Sequence, residues 1–173
     1  MRLDESQLEL NIPVSTRPQR PYRPRDPRLT SVVMAAVRGR DNAAETALRK
    51  HLWRLGLRYR LYASYLPGKP DLVFACAKTV VFVDGDFWHG RILLEQGESA
   101  LRAQFRGKAA DWWVAKIKRT AARDQAITAE LRARRWYVIR VWEKDVLKKL
   151  DVIAARLARR LNRRRLSASQ ATR

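Results

Sequence analysis

Apolar residues recur three and four positions apart up to residue 56, then alternate, then fall into short unbroken runs. These changes of period divide the chain into elements. In "RDNAAETALRKHLWRLG", Leu48, Leu52 and Leu55 form one stripe of a helix. Asn42 with Glu45 three residues later fits a capping box, and Gly56 supplies the stop. The alternation in "LRYRLYA" predicts a strand. After the turn "LPGKP", the runs "DLVFACA" and "TVVFVDG" predict two more strands, joined by a tight turn around Ala77 and Lys78. Residues 91–110 carry two glycines and no clear period, and are expected to form an irregular surface insertion. "DWWVAKIKRTAARDQAITAELRARRW" predicts a long helix with Trp113, Ile117, Ile127 and Leu131 on one face. "YVIRVWE" is a further apolar strand, and "KDVLKKLDVIAARLARRLNRRR" a final basic amphipathic helix. No repeat is visible. This order argues for an α/β fold, one central mixed sheet flanked by helices.

Composition adds a boundary and a partner. Of the seven prolines, five lie in "PVSTRPQRPYRPRDPRLT", among arginines and almost no aliphatic residues. Residues 1–30 are therefore expected to be a flexible basic arm, read either as a plain tail or as a segment that orders on phosphates. Residues 31–165 form a single domain and 166–173 a disordered tail. The chain holds 37 Lys+Arg against 17 Asp+Glu, a formal net charge of +20. Such an excess calls for a polyanionic partner, nucleic acid before an anionic membrane surface. No apolar run approaches the ~20 residues of a membrane span, and the first residues lack the order of a signal peptide. A cytoplasmic, nucleoid-associated protein is expected. A single cysteine, Cys76, excludes an internal disulfide and any multi-cysteine metal cage.

The charged residues of "LPGKPDLVFACAKTVVFVDGDFWHG" carry the candidate chemistry. If the two strands pair as a hairpin, Asp71 at the start of the first meets Asp84 and Asp86 at the end of the second, with His89 just beyond. Carboxylates so placed can hold Mg²⁺, which takes one or two of them and keeps its waters. A water activated by that ion, and deprotonated with help from His89, can attack a phosphodiester. The plainer reading is turn chemistry, since "DGD" forms turns in its own right. Phe87 and Trp88 are core residues or wedges between bases. Asp124 falls on the apolar phase of the long helix and is expected to form a buried ion pair. Glu45, at a helix start, is by default a cap.

Several segments together, "MAAVRGRDNAAETALRKHLWRLGLRYRL", "LPGKPDLVF", "VVFVDGDFWHG", "WWVAKIKRTAARD" and "YVIRVWE", resemble the very short patch repair (Vsr) endonucleases in order and spacing, over about residues 34–145. The resemblance implies a PD-(D/E)XK restriction-endonuclease-like fold and a Mg²⁺-dependent nick in double-stranded DNA, in the family 5′ to the thymine of a T·G mismatch. It makes Asp71 the metal-binding aspartate and Val83 a metal ligand through its backbone carbonyl. His89 becomes the residue that activates water, and Glu45 a support for the site. Phe87, Trp88 and Trp113 match the aromatics that wedge beside the mismatch. Lys116 and Thr120 complete the expected DNA-contacting set.

The chain departs from that pattern in three places. The family's His-Gly-Cys is Asp84-Gly85-Asp86, so Asp84 is expected to join Asp71 as a second catalytic and metal-binding carboxylate. Asp86 and Arg91 stand at zinc-ligand positions, so no structural zinc is expected, and packing of residues 91–110 should hold that region. Thr120 replaces the asparagine that reads the mismatch. Two alternatives therefore stand beside the mismatch nuclease. One is a catalytically silent nucleic-acid-binding module. The other is a restriction or defence nuclease of different specificity, acting with repair or restriction-modification partner proteins.

Overall fold

The structure, a computed structural model, describes residues 42–107 and 109–170. The arm expected over residues 1–30 lies outside the described residues. Helix α1 spans Ala43–Arg54, and its N-cap is Asn42, whose Oδ1 accepts the Glu45 backbone N–H at 2.7 Å. Ala44, Leu48 and Leu52 are fully buried, but Leu55, expected in the same stripe, is the C-cap residue and half exposed. The chain leaves the helix axis there, so the stripe ends one turn early.

Four strands form one sheet in the order β1 (Arg60–Leu61), β2 (Leu72–Phe74), β3 (Thr79–Asp84) and β4 (Tyr137–Trp142). The first two junctions are antiparallel and the last is parallel. The expected mixed sheet flanked by helices is thus what the chain adopts. The β2–β3 hairpin pairs Leu72 with Val81 and Phe74 with Thr79. Strand β2 is shorter than its sequence run, because Ala75 and Cys76 are exposed and bury little; they enter a 3₁₀ turn, Ala75–Ala77, closed by left-handed Lys78 (φ 46°).

Two expectations need correction. Residues 91–110 are not irregular: α2 spans Arg91–Arg102, interrupted at Gly97. Leu101, Ile92 and Leu93 pack against Val114 and Ile117, and that tertiary burial outweighs the low helix propensity of glycine. The last helix is two, α4 (Glu143–Lys148) and α5 (Leu150–Gln170), broken where Lys149 leaves helical geometry (φ −136°, ψ 41°). Helix α5 also continues five residues beyond the boundary set at 165; residues 171–173 lie outside the described residues. The long helix is α3 (Ala109–Ala133).

Alternation along the strands sorts the core into two layers. Leu72, Phe74, Val81, Val83 and Ile139 pack with α1, α4 and α5 through Leu48, Leu52, Val146 and Leu157. Val73, Val80, Phe82 and Val138 face the other way, onto Leu131 and Ile127 of α3. Fully buried leucines such as Leu48 and Leu72 each contribute about 1.5–3 kcal/mol. No helix among the described residues is long and apolar enough to cross a membrane.

The turn "LPGKP" is pressed under α3. A Cβ on Gly68 (φ +72°) would lie 2.6 Å from Cγ2 of Ile127, whereas one on Gly56 (φ +80°) would meet nothing within 4 Å. Gly68→Ala therefore adds overpacking to backbone strain and should lower stability by roughly 2–4 kcal/mol in urea denaturation. Gly56→Ala carries the strain alone, about 1–2 kcal/mol. Equal losses at the two positions would refute the packing account.

Candidate active site

The parallel pairing of β3 with β4 sets Asp84 beside Trp142 at one end of the sheet. Even-numbered side chains of both strands face α3, so Asp84 and Arg140 share that layer with Phe82 and Val138. Arg140 grips Asp84 as a fork: Nε donates to Oδ2 at 2.6 Å and Nη2 to Oδ1 at 2.8 Å. Its guanidinium carbon lies 4.6 Å from the centre of the Phe82 ring. Planar two-point pairing of this kind is among the stronger charged contacts available to a protein.

The loop after β3 returns the chain to α3. Its turns are held by backbone bonds from His89 to Gly85, Gly90 to Phe87 and Arg91 to Asp86. Gly90 is left-handed (φ +71°), and a Cβ there would stand 2.8 Å from Cγ2 of Ile117. This close approach delivers His89 to Asp124, with Nδ1 2.6 Å from Oδ2. Asp124 thus has the charged partners expected of it, and His89 is its nearest hydrogen-bond partner. Arg140 and Arg123 stand farther off, at 3.4 and 3.5 Å. Burial pushes the Asp124 carboxyl up, but the hydrogen bond from His89 and the arginine charges outweigh it and hold the carboxyl below its ordinary value. An ionised Asp124 only accepts, so Nδ1 of His89 carries the hydrogen of this bond. Asp84 Oδ1 lies 3.5 Å from the same Nδ1.

Asp71 enters from the other side. Its Oδ2 accepts the Val83 backbone N–H at 2.7 Å, tying the start of β2 to the end of β3. Burial raises the Asp71 pKa to about 6; the Val83 bond and His89 oppose the rise, and the charges of Glu45 and Asp84 add to it. Glu45 is buried, with Oε1 accepting the Tyr62 hydroxyl and standing 3.4 Å from Nη1 of Arg49. It therefore belongs to the interior beside Asp71 as well as to the first turn of α1. A carboxylate pushed up by burial and by neighbouring acids is one that a cation would relieve. In a strand, a residue's N–H and C=O share an edge, so the Val83 carbonyl faces the side that Asp71 occupies. One carboxylate and one carbonyl suit a hard ion that completes its shell with waters. Among the described residues no group of three or more His, Cys, Asp or Glu forms a ready cage.

Phe87, Trp88, Trp113 and Phe105 form a cluster beside this site. Phe87 packs edge-on against the other three at 5.0–6.1 Å, and Phe105 stacks on Trp113. Phe87 keeps 38% of its surface exposed, and Lys116 Nζ sits 4.7–5.4 Å from the Trp88, Trp112 and Trp113 rings. A cleft of about 910 Å³ runs from Asp84, His89, Asp124 and Arg140 past Thr128 to Arg132 and Arg160. Thr120 donates its hydroxyl to the Lys116 carbonyl at 3.2 Å, within α3.

The structure therefore gathers His89, Asp84 and Asp71 at one sheet end, with Glu45 behind Asp71 and the aromatics alongside. It does not bring Asp86 into that group: Asp86 turns to Arg91. Asp84, expected beside Asp71 as a second metal carboxylate, has both oxygens engaged by Arg140. The sequence reading omitted Arg140, and it did not include Asp124 among the site residues. An arginine within the apolar run "VIRVW" was the signal, since a charge in such a strand demands a counter-charge.

Comparison with known proteins agrees in kind. Residues 25–94 match the family described as DNA mismatch endonuclease Vsr. A type II nicking enzyme of Neisseria meningitidis serogroup C, V.NmeDIP, is 37% identical over 124 residues, 72% of this chain and 80% of that protein. V.XorIIP, a type II nicking enzyme of Xanthomonas oryzae pv. oryzae, is 38% identical over 125 residues, 72% of this chain and 86% of its own. The DNA mismatch endonuclease Vsr of Escherichia coli K12 is 34% identical over 110 residues, 64% of this chain and 66% of that protein.

A raised carboxyl pKa has a stability signature. The folded state holds the Asp71 proton up to a pH of about 6, against an ordinary value of 3.8, so the folded state binds more protons in between and stability falls as pH rises through that window. In metal-free protein at pH 7.5, Asp71→Asn should raise stability by up to roughly 3 kcal/mol. The gain should vanish near pH 4, where both side chains are neutral in the fold. A melting-temperature series across pH measures this, and a pH-independent difference would contradict the assignment.

Proposed function

The chain belongs to the Vsr endonuclease family and is a DNA-nicking enzyme, and we propose that it cuts one strand of a duplex at a T·G mismatch or a related distortion, with Asp71 and the Val83 carbonyl holding Mg²⁺ and His89 as the base. The observation that carries this reading is the His89–Asp124 pair set beside a buried acid with unrelieved charge. When bound, the ion neutralises charge on the phosphate and lowers the pKa of water. The chain's own part follows from its geometry. Asp124 orients the imidazole, and Nε2 takes the proton of the water that attacks phosphorus. The phosphorus–oxygen bond to the departing strand end breaks, and that oxygen takes a proton from solvent. Arg140 holds Asp84 and stands near Asp124, and the two acids flank the imidazole and orient it. In this reading Asp84 is a positioning residue, and Glu45 adds negative potential beside Asp71, which a bound cation would offset. Phe87 and Trp88, backed by Trp113, enter the distorted base step, and Lys116 faces a phosphate.

One observation favours a second specificity. The Thr120 hydroxyl already has a partner in its own helix, which supports a looser reading of the mismatch and a restriction-type nicking task.

End-labelled duplexes with a T·G mismatch, a matched T·A pair or an abasic gap separate the readings in a Mg²⁺ nicking assay. The T·G duplex should be cut preferentially. His89→Ala should lower the rate roughly 10²–10⁴-fold, and Asp71→Ala should abolish it. Equal cutting of all duplexes would select the second specificity. Tight binding without a Mg²⁺-dependent product would leave a DNA-binding protein and overturn the nuclease.

A further inference from the structure

The catalytic account leaves one charged cluster unused. Arg91, the first residue of α2, meets three carboxylates from different parts of the fold. Its Nη1 donates to Asp86 at 2.9 Å, its Nε to Glu95 at 2.8 Å, and its Nη2 stands 3.0 Å from Asp145 of α4. The other Asp86 oxygen accepts the Lys144 backbone N–H, at 3.1 Å, where α4 begins. The guanidinium carbon lies 5.6 Å from the centre of the Trp142 ring at the end of β4. Burial disfavours the Arg91 charge, yet the three carboxylates more than offset this and raise its pKa. Asp86 and Asp145 are themselves largely buried, with side chains 10% and 12% exposed, so each needs this cation.

The position of the cluster gives it a task. Residues 85–90 carry Phe87, Trp88 and His89, and they lie between two anchored ends. The β3 end is fixed by the sheet, and the other end is Arg91. Asp86 is the loop's second residue. We propose that Arg91 is a positioning residue: its guanidinium, shared by Asp86, Glu95 and Asp145, fastens the loop of the base and the aromatic wedge to α4, the helix that follows β4. A structural zinc does not fit here, because Asp86 and Asp145 both face the guanidinium and an ion would have to displace it. Packing of α2 on α3 therefore acts together with an ionic fastening. The effect on catalysis rests on the nicking reading above; the fastening of the loop does not.

Hydrogen–deuterium exchange on the full chain tests the fastening without reference to activity. Arg91→Met should speed exchange of the amides of residues 85–91 by about tenfold while those of β3 and β4 stay unchanged. Arg91→Lys keeps the charge but lacks the fork, and should fall between wild type and Arg91→Met. In the nicking assay, kcat should fall by roughly 10–100-fold, with a smaller change in KM. Asp86→Asn should act on the same fastening, so the double variant with Arg91→Met should lose little more than either single one. If Arg91→Met fails to fold, Arg91→Lys and Asp86→Asn carry the same test. Unchanged loop exchange would overturn the proposal, as would loop and core exchange rising together, or additive losses in the double variant. So would a stoichiometric zinc whose removal loosens the loop. A wild-type protein that does not nick would refute the nuclease reading and leave the exchange result to decide the fastening.

Discussion

The fork between Arg140 and Asp84 is the constraint on which the rest of the site depends. Neither group could stand alone in the layer between sheet and α3, where removing one member of a buried pair costs about 3–5 kcal/mol. The pairing joins strands that are adjacent in space and 56 residues apart in sequence. It settles which face of β4 looks toward α3, since a slip of one residue would turn Arg140 to the other layer. With Arg140 in place, Asp124 has a second cation nearby and His89 has a fixed acceptor. The acids that orient the imidazole are thus themselves held by a guanidinium that His89 does not touch.

The site divides into two electrostatic halves. Around His89 each acid has a cation: Asp84 has Arg140, and Asp124 has Arg140 and Arg123 beside its hydrogen bond with His89. Around Asp71 the balance tips the other way, with Glu45 and Asp84 adding negative potential to a buried carboxyl. Cations thus surround the acids beside His89, while the Asp71 carboxyl is raised by burial and by acidic neighbours.

Local signals in the sequence were read well where one element decides the outcome. Asn42 caps α1, the β2–β3 hairpin brings Asp71 to the end of β3, and Phe87 and Trp88 emerge from the turn as a partly exposed pair. The misreadings came where distant elements decide. The α2 segment looked irregular because Gly97 interrupts it, and only the apolar side of α3 supplies the burial that makes it helical. The Arg140 partner of Asp84 went unread, because it lies on a strand whose register is not legible in the sequence. Asp124 was seen to need a counter-charge, but its helical phase could not say that the counter-charge would be His89. Leu55 was assigned to a stripe that the chain leaves one residue earlier.

The parallel junction of β3 and β4 also orders events in time. The β2–β3 hairpin closes over a few residues and can form as soon as Thr79 to Asp84 are free to pair. Strand β4 must wait for α2 and α3, and long-range parallel pairing is the slow kind. Until then Asp84 has no guanidinium and the loop has no Asp145 to meet Arg91. The Asp71–Val83 contact is therefore local in sequence, and the Arg140–Asp84 and Arg91–Asp145 contacts are distant ones. A chain emerging from the ribosome cannot carry a finished nuclease before its last strand is home.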